Sequence, residues 1–184
     1  MSAQQHELAF TLGRAASPAR TLAAGKLDLQ AGNALQAVYG VRLARPASAS
    51  LHFDVGVLSV PLRDIATAIP QATRDFATLY VTPALRLKFL PSSRVSPWVT
   101  GGGGYALYEQ SVARTDGQPN SAPRLIHRGQ VMFGGGADVR VFRWLGARGE
   151  VRDFYTGSPA FNILQSGGQH NIVVGGGLVL RFGE

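Results

Sequence analysis

The side chains in this chain that could run acid–base or metal chemistry are few and scattered. Histidine occurs as His6, His52, His127 and His170, each in a different segment, so no two have the spacing of a metal site. His52 and Asp54 stand two residues apart, on one face of an extended segment, and with a nearby serine they would make a hydrolytic triad. A histidine simply bonded to an aspartate inside the fold is the commoner outcome. The glycine runs at 101–104, 134–136 and 175–177 suggest phosphate cradles, but none precedes a Lys-Ser/Thr pair or a helix. They read instead as wall stripped of side chains, where strands bend tightly and bulky neighbours lie against backbone. Cysteine is absent, which removes disulfides, thiolate metal sites and cysteine nucleophiles. The expectation is therefore no catalytic group, no metal and no cofactor.

The elements that carry these residues are strands. The dominant apolar period is two rather than 3.6, as where Leu8, Phe10 and Leu12 interleave with Glu7, Ala9 and Thr11. This pattern predicts eight strands, at roughly 6–13, 34–43, 50–58, 77–90, 96–109, 130–141, 146–155 and 170–182. In the fifth, the glycine run hides the phase and leaves the face of Trp98 open. The connections alternate strictly: 14–31, 61–75, 111–128 and 156–169 are long, whereas 45–48, 91–94 and 142–144 are tight turns. Over an even strand count, that alternation gathers every long loop at one end. No stretch approaches the roughly 18 apolar residues of a membrane helix, although 45% of residues are hydrophobic and the mean hydropathy is +0.05. At 184 residues without a composition break, one domain spanning 1–184 is expected.

The faces differ in chemistry. Glu7, Arg42, Asp54, Arg86, Lys88, Asp138, Arg140, Arg148, Glu150, Arg152 and Arg181 share the face opposite the aliphatic residues of their strands. The apolar face carries Leu8, Phe10, Leu12, Tyr39, Val41, Phe53, Val55, Leu85, Leu87, Val139, Leu178, Leu180 and Phe182. A soluble barrel would turn that face inward and a membrane barrel outward to lipid. An eight-stranded lumen is only just wide enough for side chains, and Phe10, Tyr39, Phe53 and Phe89 would crowd it, so lipid outside is the easier packing. The charged face then fills the lumen and must pair internally, because an unpartnered buried charge costs several kcal/mol. Arg140 is expected to find Glu150 or Asp54. Trp98, Tyr108, Trp144 and Tyr155, near segment ends, are candidates for interfacial girdles or for plain loop anchors.

Lys+Arg number 18 against 11 Asp+Glu, a net charge of +7, and only Lys26 and Lys88 are lysines. Arginine favours paired or phosphate-facing guanidiniums over mere solubility. Its even spread, rather than clustering on a helix, argues against nucleic acid.

Four segments carry a resemblance: Ser96-Pro97-Trp98-Val99-Thr100 with the glycine run and Tyr105; Phe133-Gly134-Gly135-Gly136-Ala137-Asp138-Val139-Arg140; Arg148-Gly149-Glu150-Val151-Arg152; and Gly175 through Leu178, Leu180 and Arg181 to the aromatic Phe182. The chain resembles the outer-membrane β-barrel family of OmpA-type and OmpX-type eight-stranded proteins, over its whole length. It departs where Gly183 and Glu184 follow Phe182, since the family ends on the aromatic read by the insertion machinery. No peptidoglycan-binding domain follows, and the N-terminus shows no apolar leader, so export implies a signal peptide outside these residues.

The resemblance implies an all-β, eight-stranded, antiparallel up-and-down transmembrane barrel in the bacterial outer membrane. It also implies a monomer that meets membrane lipid and the insertion machinery, has no continuous pore, and plays a structural or surface-interaction role. Arg14, Arg20, Lys26, Arg63, Arg74, Arg114, Arg124 and Arg128, against Asp28, Asp64, Asp75 and Asp116, would lie in the long loops, facing lipopolysaccharide phosphates or simply solvated. Some such barrels are lipid A acyltransferases or deacylases, which makes a lipid A-modifying enzyme the first rival, although no Ser sits beside a His in the deacylase pattern. A soluble lipocalin-like barrel holding a small apolar ligand is the second.

Overall fold

The computed structural model describes residues 5–46, 48–163 and 167–183. The strands are β1 (His6–Ala16), β2 (Arg20–Leu22), β3 (Gly25–Leu29), β4 (Gly32–Ala44), β5 (Ala49–Thr67), β6 (Asp75–Phe89), β7 (Val95–Gln110), β8 (Leu125–Arg140), β9 (Leu145–Gly157) and β10 (Gly168–Phe182). Every pairing between them is antiparallel. Eight strands follow one another around a ring in chain order, closed where β1 meets β10 from His6↔Phe182 to Ala16↔Ile172. Closure leaves no unpaired edge in the barrel wall, which a strand bundle in lipid requires. The short hairpin β2–β3 stands on the loop end and joins the sheet through β3 and β5, with Asp28↔Ala66 at its centre.

The wall follows the period-two pattern almost without interruption. Side chains at even and odd positions alternate between buried and exposed along β1, β4, β5, β6 and β9. Leu12 is 68% exposed, Phe10 52% and Leu178 54%, while Glu7 and Arg86 on the opposite face are 2% and 1% exposed. The apolar face is outside and the charged face inside. The residues expected on the apolar face point away from the lumen, the reverse of the soluble lipocalin-like arrangement.

Each barrel strand runs past its sequence-expected end towards the long loops, and β4, β5, β7 and β9 gain a single residue at the turn end as well. The largest difference is in β5, which continues past Leu58 to Thr67. Pro61 lacks the N–H that the ladder needs. The register of β5 against β6 shifts between Val60 and Arg63, and both side chains enter the lumen with Pro61 and Leu62 bulged outward. The bulge moves Arg63 from the expected solvated loop into the barrel. Of the tight turns, 91–94 and 142–144 join their strands as expected; the turn at 45–48 includes Ala47, which lies outside the described residues.

Candidate functional site

The lumen is divided into two tiers. On the turn side, charged residues from β1, β5, β6, β8, β9 and β10 converge on Trp98 of β7. Glu7 forms an ion pair with Arg86 Nη2 at 2.8 Å and accepts from Lys88 Nζ at 2.6 Å. Asp138 takes Lys88 Nζ at 2.8 Å and Arg148 Nε at 2.7 Å. Asp54 receives two donors of Arg86, Nε at 2.7 Å and Nη2 at 3.1 Å. Glu150 is held by Arg152 Nη2 at 2.9 Å and by the Thr11 hydroxyl at 2.9 Å. Arg181 reaches Glu7 at 3.3 Å.

Sheet register explains these partnerships: Glu7 stands directly opposite Arg181, and Asp138 opposite Arg148, so oppositely charged neighbours face each other across strands. Trp98 donates its indole N–H to Asp138 at 3.2 Å and lies under three guanidiniums, with Arg148, Arg152 and Arg86 at 5.0, 5.4 and 5.9 Å from its ring centre. Space for this cluster comes from glycine. A Cβ on Gly136 would sit 2.7 Å from Trp98 Cζ2, and one on Gly40 of β4 would strike Asp54 and come within 3.0 Å of Arg86 Nη2. The phosphate-cradle reading of the 134–136 run has no support in this geometry.

On the loop side the same wall positions carry apolar groups. Phe76, Tyr80, Tyr108 and Phe154 pack together, with the rings of Tyr80 and Phe154 4.8 Å apart. Phe161, from the connection between β9 and β10, turns back into the mouth and stacks at 4.6 Å on Phe76. Ile69, Ala72 and Ile163 from the connections, and Leu27 and Leu29 from β3, complete the plug. Two hydrogen bonds tie it together, one between backbones, Thr73 N–H to Phe161 O at 3.0 Å, and one from the Asn162 side chain, Nδ2 to Gln71 O at 2.7 Å. Arg63 lies over Phe76 and donates to Gln30 O and Leu29 O at 2.8 and 3.0 Å, clamping the hairpin to the barrel.

Sequence reasoning missed this tier. Tyr108 and Trp98, candidates for interfacial girdles or plain loop anchors, are instead buried in the lumen, at 0% and 2% exposed. The signal was present: Phe76, Tyr80, Tyr108 and Phe154 share the phase of the charged residues, and Ile69, Phe161 and Ile163 are large apolar groups inside long connections. Trp144 and Tyr155 do point outward, as do the aliphatic residues named for the outer face.

The charged residues expected in the lumen separate into two sets. Glu7, Asp54, Arg86, Lys88, Asp138, Arg148, Glu150, Arg152 and Arg181 come together in the buried cluster. Arg42 and Arg140 do not: they sit at the turn-side mouth, beyond the last closed ring of the barrel. Arg140 Nη2 donates to Ser92 O at 2.6 Å, so its partner is a turn carbonyl rather than Glu150 or Asp54, both already engaged. This mouth opens as a vestibule of about 640 Å³, with Arg45, Arg94, Arg143 and Ser96 also on its walls and Ser50, His52 and Lys88 at its floor.

The histidines stay apart. His6 bonds Tyr39 Oη at 2.7 Å on the outer face, His127 meets Tyr105, and His170 contacts Asp153 Oδ2 at 2.6 Å. His52 Nε2 lies 3.0 Å from Ser50 Oγ, but its Nδ1 has no partner and Asp54 is taken by Arg86, so the triad lacks its acid. Among the described residues no group of three or more potential ligands could hold a metal.

No family model and no curated protein matches the sequence. Solved structures do match the fold. Neisserial surface protein A superposes with a TM-score of 0.62 at 13% identity, covering 97% of each chain. OprG, an outer membrane protein of Pseudomonas aeruginosa, gives 0.57 at 12% identity over 99% of this chain and 97% of its own. Ail, the attachment invasion locus protein of Yersinia pestis, solved with the heparin analogue sucrose octasulfate, gives 0.52 at 14% identity over 96% and 99%. The chain has the fold of the eight-stranded antiparallel β-barrels of the bacterial outer membrane.

Proposed function

We propose that this protein is an integral outer-membrane barrel, monomeric, without catalysis or a continuous pore, with a structural or surface-interaction role. The observation that carries the reading is the inverted distribution of polarity: a closed ring of strands with aliphatic residues outside and paired charges inside. Apolar exposure on this scale far exceeds what a soluble monomer presents to water, and lipid is the solvent that accepts it. The two lumen tiers, one of paired ions and one of packed rings, fill the barrel interior with buried side chains, which supports a sealed barrel. At the loop end, Arg74, Arg114 and Arg124 are bound to Asp75, Asp116 and Glu109. The loop-end contact with lipopolysaccharide phosphates therefore falls to Arg14 and Lys26, both exposed.

The test is extraction and reconstitution. The protein should partition with membranes, need detergent for solution as a monomer, and give no stable large conductance in planar bilayers. A monodisperse monomer in plain buffer would sink the membrane reading, and large steady currents from pure monomer the sealed one. Loss of lipopolysaccharide binding on removal of its phosphates supports the surface contact; unchanged binding counts against it.

A further inference from the structure

The basic excess of this chain is gathered at the turn end. At the loop end Arg74, Arg114 and Arg124 are matched by nearby carboxylates, whereas the vestibule has a single carboxylate on its walls among the described residues, Glu7. That one is fully committed: Arg86, Lys88 and Arg181 already bind it. Two of the rim arginines, Arg45 and Arg140, are held by neutral groups. Arg45 Nη2 donates to Ser92 Oγ at 2.8 Å and Arg140 Nη2 to Ser92 O at 2.6 Å, so two guanidiniums, one from the turn after β4 and one from the end of β8, are fixed on one turn residue by neutral acceptors. Arg94 stands exposed beside them on the same wall. Gathering like charges around a concave, protein-walled space raises the local concentration of anions. The planar guanidinium fork matches phosphate oxygens two at a time.

A second observation points to a ligand independently of the rim. His52 is 1% exposed, lines the vestibule floor, and has no partner for Nδ1. Nη1 of Arg181, on the same floor, is also without one. Buried polar atoms are ordinarily satisfied. A third vestibule-lining atom without a hydrogen bond, Glu7 Oε2, is ion-paired with Arg86 Nη2 at 2.8 Å. His52 Nδ1 and Arg181 Nη1 are therefore the two under the cationic rim where further polar atoms belong. The volume of about 640 Å³ is larger than a single phosphate needs and falls within the roughly 300–1,000 Å³ of small-molecule sites.

We propose that the turn-side vestibule binds a phosphate-bearing anion, gripped at the rim by Arg45, Arg94 and Arg140 and met at the floor by His52 and Arg181. The ligand is either a free oligophosphate or the headgroup of an anionic phospholipid reaching over the rim. Exposed Phe142 and Trp144, stacked at 6.0 Å beside Arg143, give that rim an apolar anchor next to its charge.

The test uses the whole chain refolded in nanodiscs, titrated with inorganic pyrophosphate and followed by calorimetry and by the histidine side-chain resonances. In zwitterionic phosphatidylcholine discs, pyrophosphate should bind and shift His52 while His127 and His170, at the loop end, stay still. R45Q/R94Q/R140Q should weaken binding at least tenfold, and the loop-end control R74Q/R124Q should leave it unchanged. The His52 readout on the unmodified protein keeps the proposal exposed to failure even should the triple variant fold poorly. Discs containing phosphatidylglycerol separate the sources. A fall in pyrophosphate affinity that the triple variant lacks identifies the lipid headgroup, and equal affinity in both discs identifies a free anion. Absence of binding, binding that the triple variant retains, or shifts at His127 and His170 instead of His52 would each overturn the proposal.

Discussion

The two tiers of the lumen are built on the same strands by opposite means. Along β6 the inward positions run Lys88, Arg86, Ala84, Thr82, Tyr80, Thr78 and Phe76, from ions through small groups to aromatics in a single strand. The turn side is filled by charges that satisfy one another through specific geometry, and the loop side by ring volume and by connections folded inward. Ionic filling is unforgiving, since each buried charge costs several kcal/mol without its partner, and replacement of a whole network by apolar groups is often neutral or stabilising. Aromatic filling is tolerant of small errors and contributes by area. The contrast assigns the aromatic tier the larger net share of stability and the ionic tier the selection of one register, because a slip of one residue would turn every charge to lipid.

The most damaging single change should break the ionic tier at its centre. Arg86 serves both Glu7 and Asp54, and Arg86→Met is expected to cost about 3–5 kcal/mol by stranding them. Urea titrations of folding into lipid vesicles measure it. Adding Asp54→Asn to Arg86→Met should return part of the loss, since it removes one of the stranded charges. A double variant no better than the single would mean that Arg86 acts through Trp98 packing rather than through charge.

Next in size is inversion of the outer face. Leu178→Arg places a guanidinium on a 54% exposed outer site of β10 and should cost roughly 2–4 kcal/mol if that site lies near the bilayer midplane. No carboxylate change inside the lumen can rescue it, which distinguishes it from Arg86→Met. A harmless Leu178→Arg would remove the argument for lipid on this face.

These two outcomes concern what was legible beforehand. Strand phase told which residues share a face, and the crowding of Phe10, Tyr39, Phe53 and Phe89 in a narrow lumen told which face is wet, because both follow from period and volume alone. Partnerships were not legible: the one expected, Arg140 with Glu150 or Asp54, does not form, and Glu7 opposite Arg181 depends on a register that strand phase alone does not set. Trp98 was hidden because glycine erases the alternation around it, and Arg63 because the bulge at Pro61 changes the phase without any change in composition. The aromatic plug depends on Phe161 and Ile69 folding inward from connections, a long-range event that no local pattern encodes.

A smaller effect sharpens the picture of the aromatic tier. Tyr80 and Phe154 lie with ring centres 4.8 Å apart, and a double-mutant cycle with leucine at each should give a coupling of about 0.5–1.5 kcal/mol beyond area burial. Lack of coupling would mean that the rings merely fill space, and that the plug is held instead by the hydrogen bonds of its connections.

The smallest effect falls where alternation is a poor guide to energy. Arg140 and Arg148 both follow the inward phase of their strands, yet Arg148 is sealed against Asp138 while Arg140 is exposed and holds a turn carbonyl. Arg148→Gln should be costly, on the order of the 3–5 kcal/mol of a broken buried pair, and Arg140→Gln should change stability by less than about 0.5 kcal/mol, as surface substitutions do. The same urea titrations compare them directly. Equal losses would mean that the turn-side mouth is closed in the membrane-embedded protein and that Arg140 belongs to the ionic tier after all. A large loss at 148 alone places the boundary between buried network and open vestibule within the two-residue step from Asp138 to Arg140.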